Sequence, residues 1–208
     1  MKKLPIVEID FKEAKALADK VSIFQDLSFV IDVLKKLAKI TKEKSQNNND
    51  HVLLLRALWS SALIAYVRCF STGKRLGLTK DIYKDLKGEP IKTHEYYRDL
   101  RDKHIAHSVN PFEQIKVGAI LSNEQNDKKE VLGITELSQS LLVPDIDGIQ
   151  TLSKLAIFAR KMIIDEIKQS REIVAKIAKN IPTEDLYRGR KLRLVTPGPE
   201  DTKKPREY

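Results

Sequence analysis

The chain has 208 residues, 41% of them hydrophobic and 32% charged, with a formal net charge of +9 and a single cysteine. That length suits one sizeable domain with a core of its own, or one domain plus a tail. One cysteine excludes an internal disulfide and any multi-cysteine metal site. The positive balance favours polyanionic partners, because Lys and Arg on phosphates release condensed counterions.

The N-terminus, Met1-Lys-Lys-Leu-Pro-Ile-Val-Glu-Ile-Asp10, has two lysines but no apolar stretch after them, so it does not read as a signal peptide. From Phe11 to about Lys42, Ala14, Leu17, Val21, Phe24, Leu27, Ile31, Leu34 and Leu37 recur at helical spacing. Val21-Ser22-Ile23 is a candidate break between two helices. Ser45-Gln-Asn-Asn-Asn-Asp50 reads as a polar loop.

A helix from about His51 to Ser71 is apolar nearly all round, which places it at the bundle centre. Arg56 interrupts its apolar run, Val52 to Val67, which is short for a membrane span. The cytoplasm is the expected location. Cys69, in the apolar context of this helix, reads as a buried structural thiol, with a nucleophile as the sharper alternative. Gly73 and Gly77 follow as stop signals.

Thr79 is placed to cap a short helix ending near Gly88. Pro90 and Thr93 open another that runs to His107 and stops at Asn110-Pro111. Ile115 to Leu121 and Glu130 to Leu137 are rich in Val and Ile and flank a turn-like Asn123–Lys128, which predicts a β-hairpin over about 115–137. Asp145 caps a last long helix ending near Asn180, with Ile149, Leu152, Leu155, Ala156, Phe158, Ala159, Met162, Ile163, Ile167 and Ile173 on its apolar face. Residues 1–180 thus form the expected helical domain. Residues 181–208 hold half of the eight prolines and form an extended tail, disordered alone or laid against a partner.

Three of the four histidines, His94, His104 and His107, fall in one predicted helix with Arg98, Arg101 and Asp102. Histidine takes and returns a proton near neutral pH. Arginine stays charged, and its fork of donors fits phosphate oxygens. Such a pair suits RNA cleavage through the 2′-hydroxyl, with His moving the proton and Arg stabilising charge on phosphorus. The blander readings are a surface salt bridge for Arg101, to Asp102 or a neighbouring acid, and for His107 a helix C-terminal residue favoured by the dipole. His104 reads foremost as a packing or hydrogen-bonding residue, His94 as solvated and His51 as structural. Tyr96 and Tyr97 suit base stacking or, more commonly, core packing. Arg68 either reaches the site or snorkels to the surface. No Gly-rich phosphate loop, nucleotide fingerprint or zinc-protease His pair is present.

The string Leu100-Arg101-Asp102-Lys103-His104-Ile105-Ala106-His107-Ser108 resembles the signature helix of the HEPN superfamily, in which Arg and a polar residue precede His by a few positions. Asp102 occupies the polar position, and Lys103, Ala106 and His107 agree. The close match covers about nine residues, with an outline match over about 10–180. The resemblance implies a HEPN-like helical bundle and a metal-independent endoribonuclease without cofactors. In it Arg101, His107 and Asp102 are catalytic; the candidate substrate contacts are Lys103 within the motif and, from the residue chemistry above, His104, Arg98, Tyr97 and Arg68. The hairpin after the motif resembles an abortive-infection, phage-related branch. That implies RNA as substrate, a homodimer with two motifs lining one cleft, an antitoxin as candidate partner and no membrane. A dimer bears on the site because six residues separate Arg101 from His107, about 240° on an ideal helix. The alternative is a non-catalytic HEPN module that dimerises or binds RNA or protein.

Overall fold

The computed structural model describes residues 4–42, 49–71, 73–107, 112–123, 129–140 and 144–204. In chain order the elements are α1 (Lys12–Lys42), α2 (Asn49–Arg68), a 3₁₀ turn (Lys80–Tyr83), α3 (Pro90–Leu100), a π turn (Arg101–Ile105), β1 (Glu113–Leu121), β2 (Val131–Ser140), α4 (Ile146–Lys179), α5 (Thr183–Arg188) and a 3₁₀ turn (Pro199–Lys203). The protein is mainly helical, with one small antiparallel hairpin.

The four main helices run up, down, up and down. Cys69, just past α2, lies against the Ile23 carbonyl, and Arg68 pairs with Asp26, so α2 returns along α1. Lys20 reaches Ser170 and Glu166, so α4 also lies antiparallel to α1. Trp59 meets Tyr97 and Tyr66 meets His94, which sets α3 antiparallel to α2. The Tyr97 hydroxyl donates to the Gly148 carbonyl at 2.7 Å, closing α3 onto the start of α4.

α1 is one continuous helix with no break at Val21-Ser22-Ile23. Ile23, Leu27, Val30, Ile31, Leu34 and Leu37 are all buried, so its stripe packs between α2 and α4 along its length. Tertiary packing of that kind outweighs the weak helix propensity of two β-branched residues. Burying each large side chain contributes about 1.5–3 kcal/mol. The central position therefore belongs to α1, not to α2 as expected. In α2 the burial starts at Trp59, while Val52, Leu53 and Leu54 are exposed. The apolar run described above as short for a span lies in a 20-residue helix that is, by length and composition, long and apolar enough to cross a membrane. One face of it is buried against α1 and α3.

α4 follows the sequence closely. The Asp145 carboxylate accepts from the Gly148 N–H at 2.9 Å, and Ile149, Leu152, Leu155, Ala156, Ala159, Ile163 and Ile167 face the core. Phe158 is half-buried, whereas Met162 and Ile173, expected on the same face, are exposed. The short helix expected after Thr79 is a single 3₁₀ turn, and the helix expected to reach His107 stops as α-helix at Leu100. The hairpin runs from Glu113 to Ser140, a few residues beyond its expected ends, with Ile115 opposite Ser138 and Ala119 opposite Ile134. The expected loop at 45–50, the hairpin's turn and the Asn110-Pro111 stop lie wholly or mostly outside the described residues.

Within 181–208 the chain is not featureless. It forms α5 and then bridges to the N-terminal segment: Glu8 N–H donates to the Arg190 carbonyl at 2.8 Å, and Leu192 N–H to that of Ile6 at 3.1 Å. This pairing follows from the antiparallel course of α1 and α4, which brings the two ends of the chain to one end of the bundle.

Candidate active site

A buried polar chain fixes α3, and through it the motif. His94 is 2% exposed, against the expectation of a solvated residue. Its Nδ1 lies 2.9 Å from the Tyr66 hydroxyl, which lies 3.1 Å from the Tyr83 hydroxyl, and Tyr83 donates to the Leu155 carbonyl at 3.2 Å. Each of these three contacts needs one proton. The two hydroxyls supply two, so a neutral His94 protonated on Nδ1 supplies the third. Desolvation by burial, helped by the nearby Arg98 charge, pushes His94 down to about 4. Burial likewise raises both phenols well above their ordinary range. The ring of Phe70 packs on His94 at 4.4 Å between centroids. This histidine serves the core.

Immediately after Leu100, which is buried, the helix widens. Ala106 N–H donates to the Arg101 carbonyl at 2.9 Å, an i→i+5 bond, and Arg101–Ile105 forms a π turn. Turns of this kind are rare and are frequent at functional sites. Trp59 stacks edge-on against Tyr97, so the π turn, four residues further on, lies one helical turn further down α2, beside its exposed apolar half.

The Arg101 Nη1 donates to Asp102 Oδ1 at 2.7 Å, and both side chains are part-exposed. Among the described residues the Arg101 Nε, itself buried, has no hydrogen-bond partner. His104 is half-buried and meets Phe112 edge-on at 6.0 Å, which fastens the root of the hairpin to the π turn. His107 is exposed at a bend past the turn. Among the described residues no hydrogen bond joins it to Arg101, and no three His, Cys, Asp or Glu side chains converge as a metal site.

The other candidates scatter. Lys103 is exposed and paired with Asp99 one turn back. Arg98 is exposed on α3. Tyr97 is 2% exposed, so its ring is committed to the core rather than to a base; Tyr96 beside it is 47% exposed. Arg68 lies about 13 residues along α2 from the level of Arg101, roughly 20 Å at the helical rise, and pairs with Asp26. It does not reach the motif. Cys69 is fully buried, with Sγ 3.2 Å from the Ala65 carbonyl, and desolvation pushes its thiol up to about 12, which suits the structural reading and not a nucleophile.

No family model, curated protein or solved structure matches the chain.

Two groups escaped the sequence. The His94–Tyr66–Tyr83 chain joins residues 17 and 28 positions apart, and no local pattern carries such a pairing. Asp26, Arg68 and Arg75 form an ion cluster whose only sequence trace is the Lys74-Arg75 pair between Gly73 and Gly77.

Proposed function

We propose that this chain is a HEPN-type, metal-independent endoribonuclease of toxin or anti-phage biology. The observation that supports the reading is that Arg101 opens a π turn at the protein surface, paired with Asp102, with His107 open to solvent at the bend just past that turn. In this reading His107 removes the 2′-hydroxyl proton, and the freed oxygen attacks phosphorus. The 5′-oxygen leaves, taking that proton back from the protonated His107, and a 2′,3′-cyclic phosphate remains. Arg101 stabilises the negative charge on the phosphoryl oxygens. Asp102 holds the guanidinium in one orientation. Lys103 and Arg98 supply backbone contacts from the same exposed stretch.

Arg101 and His107 are not joined within one chain, so the active unit in this reading is a two-fold homodimer in which motif turns face each other. RNA is the substrate, no cofactor is required, an antitoxin protein is the candidate regulator, and the cytoplasm is the compartment. Cleavage of single-stranded RNA in excess chelator tests it. His107→Ala is expected to cost about 10²–10⁴-fold and Arg101→Ala a comparable factor. Both variants should keep the fold, since neither side chain is in the core. Cleavage that survives His107→Ala unchanged sinks the proposal.

The binding-module reading has its own support. Both faces of the hairpin are exposed: Ile115, Val117, Ile120, Leu121, Val131, Leu132, Ile134 and Leu137 are each between 46% and 72% accessible. An isolated two-stranded ribbon is marginal in water, and an apolar patch of this kind favours a contact with another macromolecule. Light scattering that shows a stable dimer together with no RNA cleavage would select this reading.

A further inference from the structure

At the π-turn end of the bundle the chain presents two apolar surfaces that its own fold leaves open. The first is the β1–β2 ribbon, in which none of residues 113–121 or 131–139 is buried. Side chains alternate between the faces of a strand, and paired residues share a face. The register therefore gathers Ile115, Val117, Ala119, Leu121, Val131 and Ile134 on one face. Its Val, Ile and Leu members are between 62% and 69% accessible. The other face is mostly polar, with Gln114, Lys116, Thr135 and Gln139 beside Ile120 and Leu137.

The second surface is the start of α2. Val52, Leu53 and Leu54 are exposed there, Leu53 to 66%, and so is Ala57 one turn on. Residues three and four apart on a helix share a face, so Arg56 stands over Val52 and Leu53. The π turn lies beside this stretch of α2, and the contact of Phe112 with His104 fastens the ribbon's root to the π turn. Phe112 also packs against the core. The root is thus held, while the ribbon's apolar face and the start of α2 both stay uncovered. Every copy of the chain therefore carries an apolar arm and an apolar acceptor at one end.

The charges on the two surfaces are complementary. On the ribbon's apolar face Glu136 lies opposite Val117, amid the aliphatic side chains, and Glu113 lies at the root, where it has a partner of its own. Lys116, the ribbon's cation, is on the other face. On α2 the cation among the apolar residues is Arg56, and Asp50 sits in the first turn, where the helix dipole favours it. Neither Arg56 nor Glu136 has an ion-pair partner among the described residues. We infer that the ribbon of one chain clasps the start of α2 in a second copy, with Glu136 meeting Arg56, and that the second copy returns the contact about a two-fold axis. Such a pair covers both ribbons and both helix starts at once. It removes on the order of 1,500 Å² from water, within the range of about 1,200–2,000 Å² for a stable interface, whereas one ribbon on one helix falls short of that range. The clasp rests on the two-fold dimer proposed above, and it brings both π turns to one interface.

Light scattering on the full chain at high micromolar concentration reads the assembly. The wild type should have twice the 23.8 kDa of one chain. Arg56→Glu and Glu136→Arg each set like charges together in both contacts of the dimer. Each should raise the dissociation constant about 100-fold or more and give the mass of one chain. Both positions are exposed, so the circular dichroism spectrum should not change. Mixing the two variants restores opposite charges in both contacts, and the mixture should recover the doubled mass. Val117→Lys should also give the single mass with the fold intact. A monomeric wild type, variants that remain dimers, or a mixture of monomeric variants that stays monomeric would each overturn the inference. The readout is mass, so its outcome is separate from catalysis: RNA cleavage by a monomer sinks the clasp alone, and a clasped dimer inert on RNA sinks the nuclease reading alone.

Discussion

Acid should loosen this protein through one residue, His94. In the folded state burial holds its imidazole neutral down to about pH 4, against 6.5 for an exposed histidine. The unfolded chain therefore binds a proton that the folded chain refuses between these values. Stability from this group is complete above pH 6.5 and is lost as pH falls toward 4. Integrating over both titrations, the loss between pH 7 and pH 5 is about 2 kcal/mol, and the full shift corresponds to about 3 kcal/mol. Urea unfolding at pH 7 and pH 5 measures this, and a His94→Gln variant provides the control. The wild type should lose about 2 kcal/mol and the variant markedly less, although the variant starts from lower stability because Tyr66 loses its ring partner. The ring-proton NMR resonances of His94 should titrate with a midpoint near pH 4. A midpoint at or above pH 6.5, or an identical pH slope in the variant, would refute the buried-chain account.

Three substitutions probe the packing. Gly77→Ala forces a Cβ to within 2.6 Å of backbone and should cost about 1–3 kcal/mol by thermal or urea unfolding, since the neighbour cannot move cheaply. Leu63→Ala, at a fully buried site in α2, should cost about 2–5 kcal/mol. Val117→Lys on the exposed hairpin should change unfolding of the isolated chain by about 0.5 kcal/mol or less, because the side chain touches no core; a large loss would mean that the ribbon is covered in solution.

What could be read from the sequence was what local chemistry encodes. α4 announced itself through the Asp145 cap and an apolar stripe, and the hairpin through two Val- and Ile-rich runs about a polar turn. The break proposed at Val21-Ser22-Ile23 failed because burial on two sides of α1 outweighs local propensity. α2 looked central because apolar residues surround it, yet near its start Val52, Leu53 and Leu54 are exposed among the described residues. The string Arg101 to His107 was visible, but its π geometry was not, since an i→i+5 bond leaves no compositional mark. His94 was misread as solvated because its partners, Tyr66 and Tyr83, come from distant segments. Arg68 could not be assigned to a site before the fold set it beside Asp26 and Arg75, away from Arg101.

The central claim is that Arg101 and His107 cleave RNA through its own 2′-hydroxyl. The most direct measurement offers the purified chain, in excess chelator, single-stranded RNA, DNA of the same sequence, and the RNA with 2′-deoxy sugars at its cut positions, and then characterises the product ends. The account predicts cleavage of the RNA alone, with 2′,3′-cyclic phosphate or its opened form at the new ends. Cleavage of DNA or of the deoxy-substituted positions, or a strict requirement for a divalent metal, would contradict it.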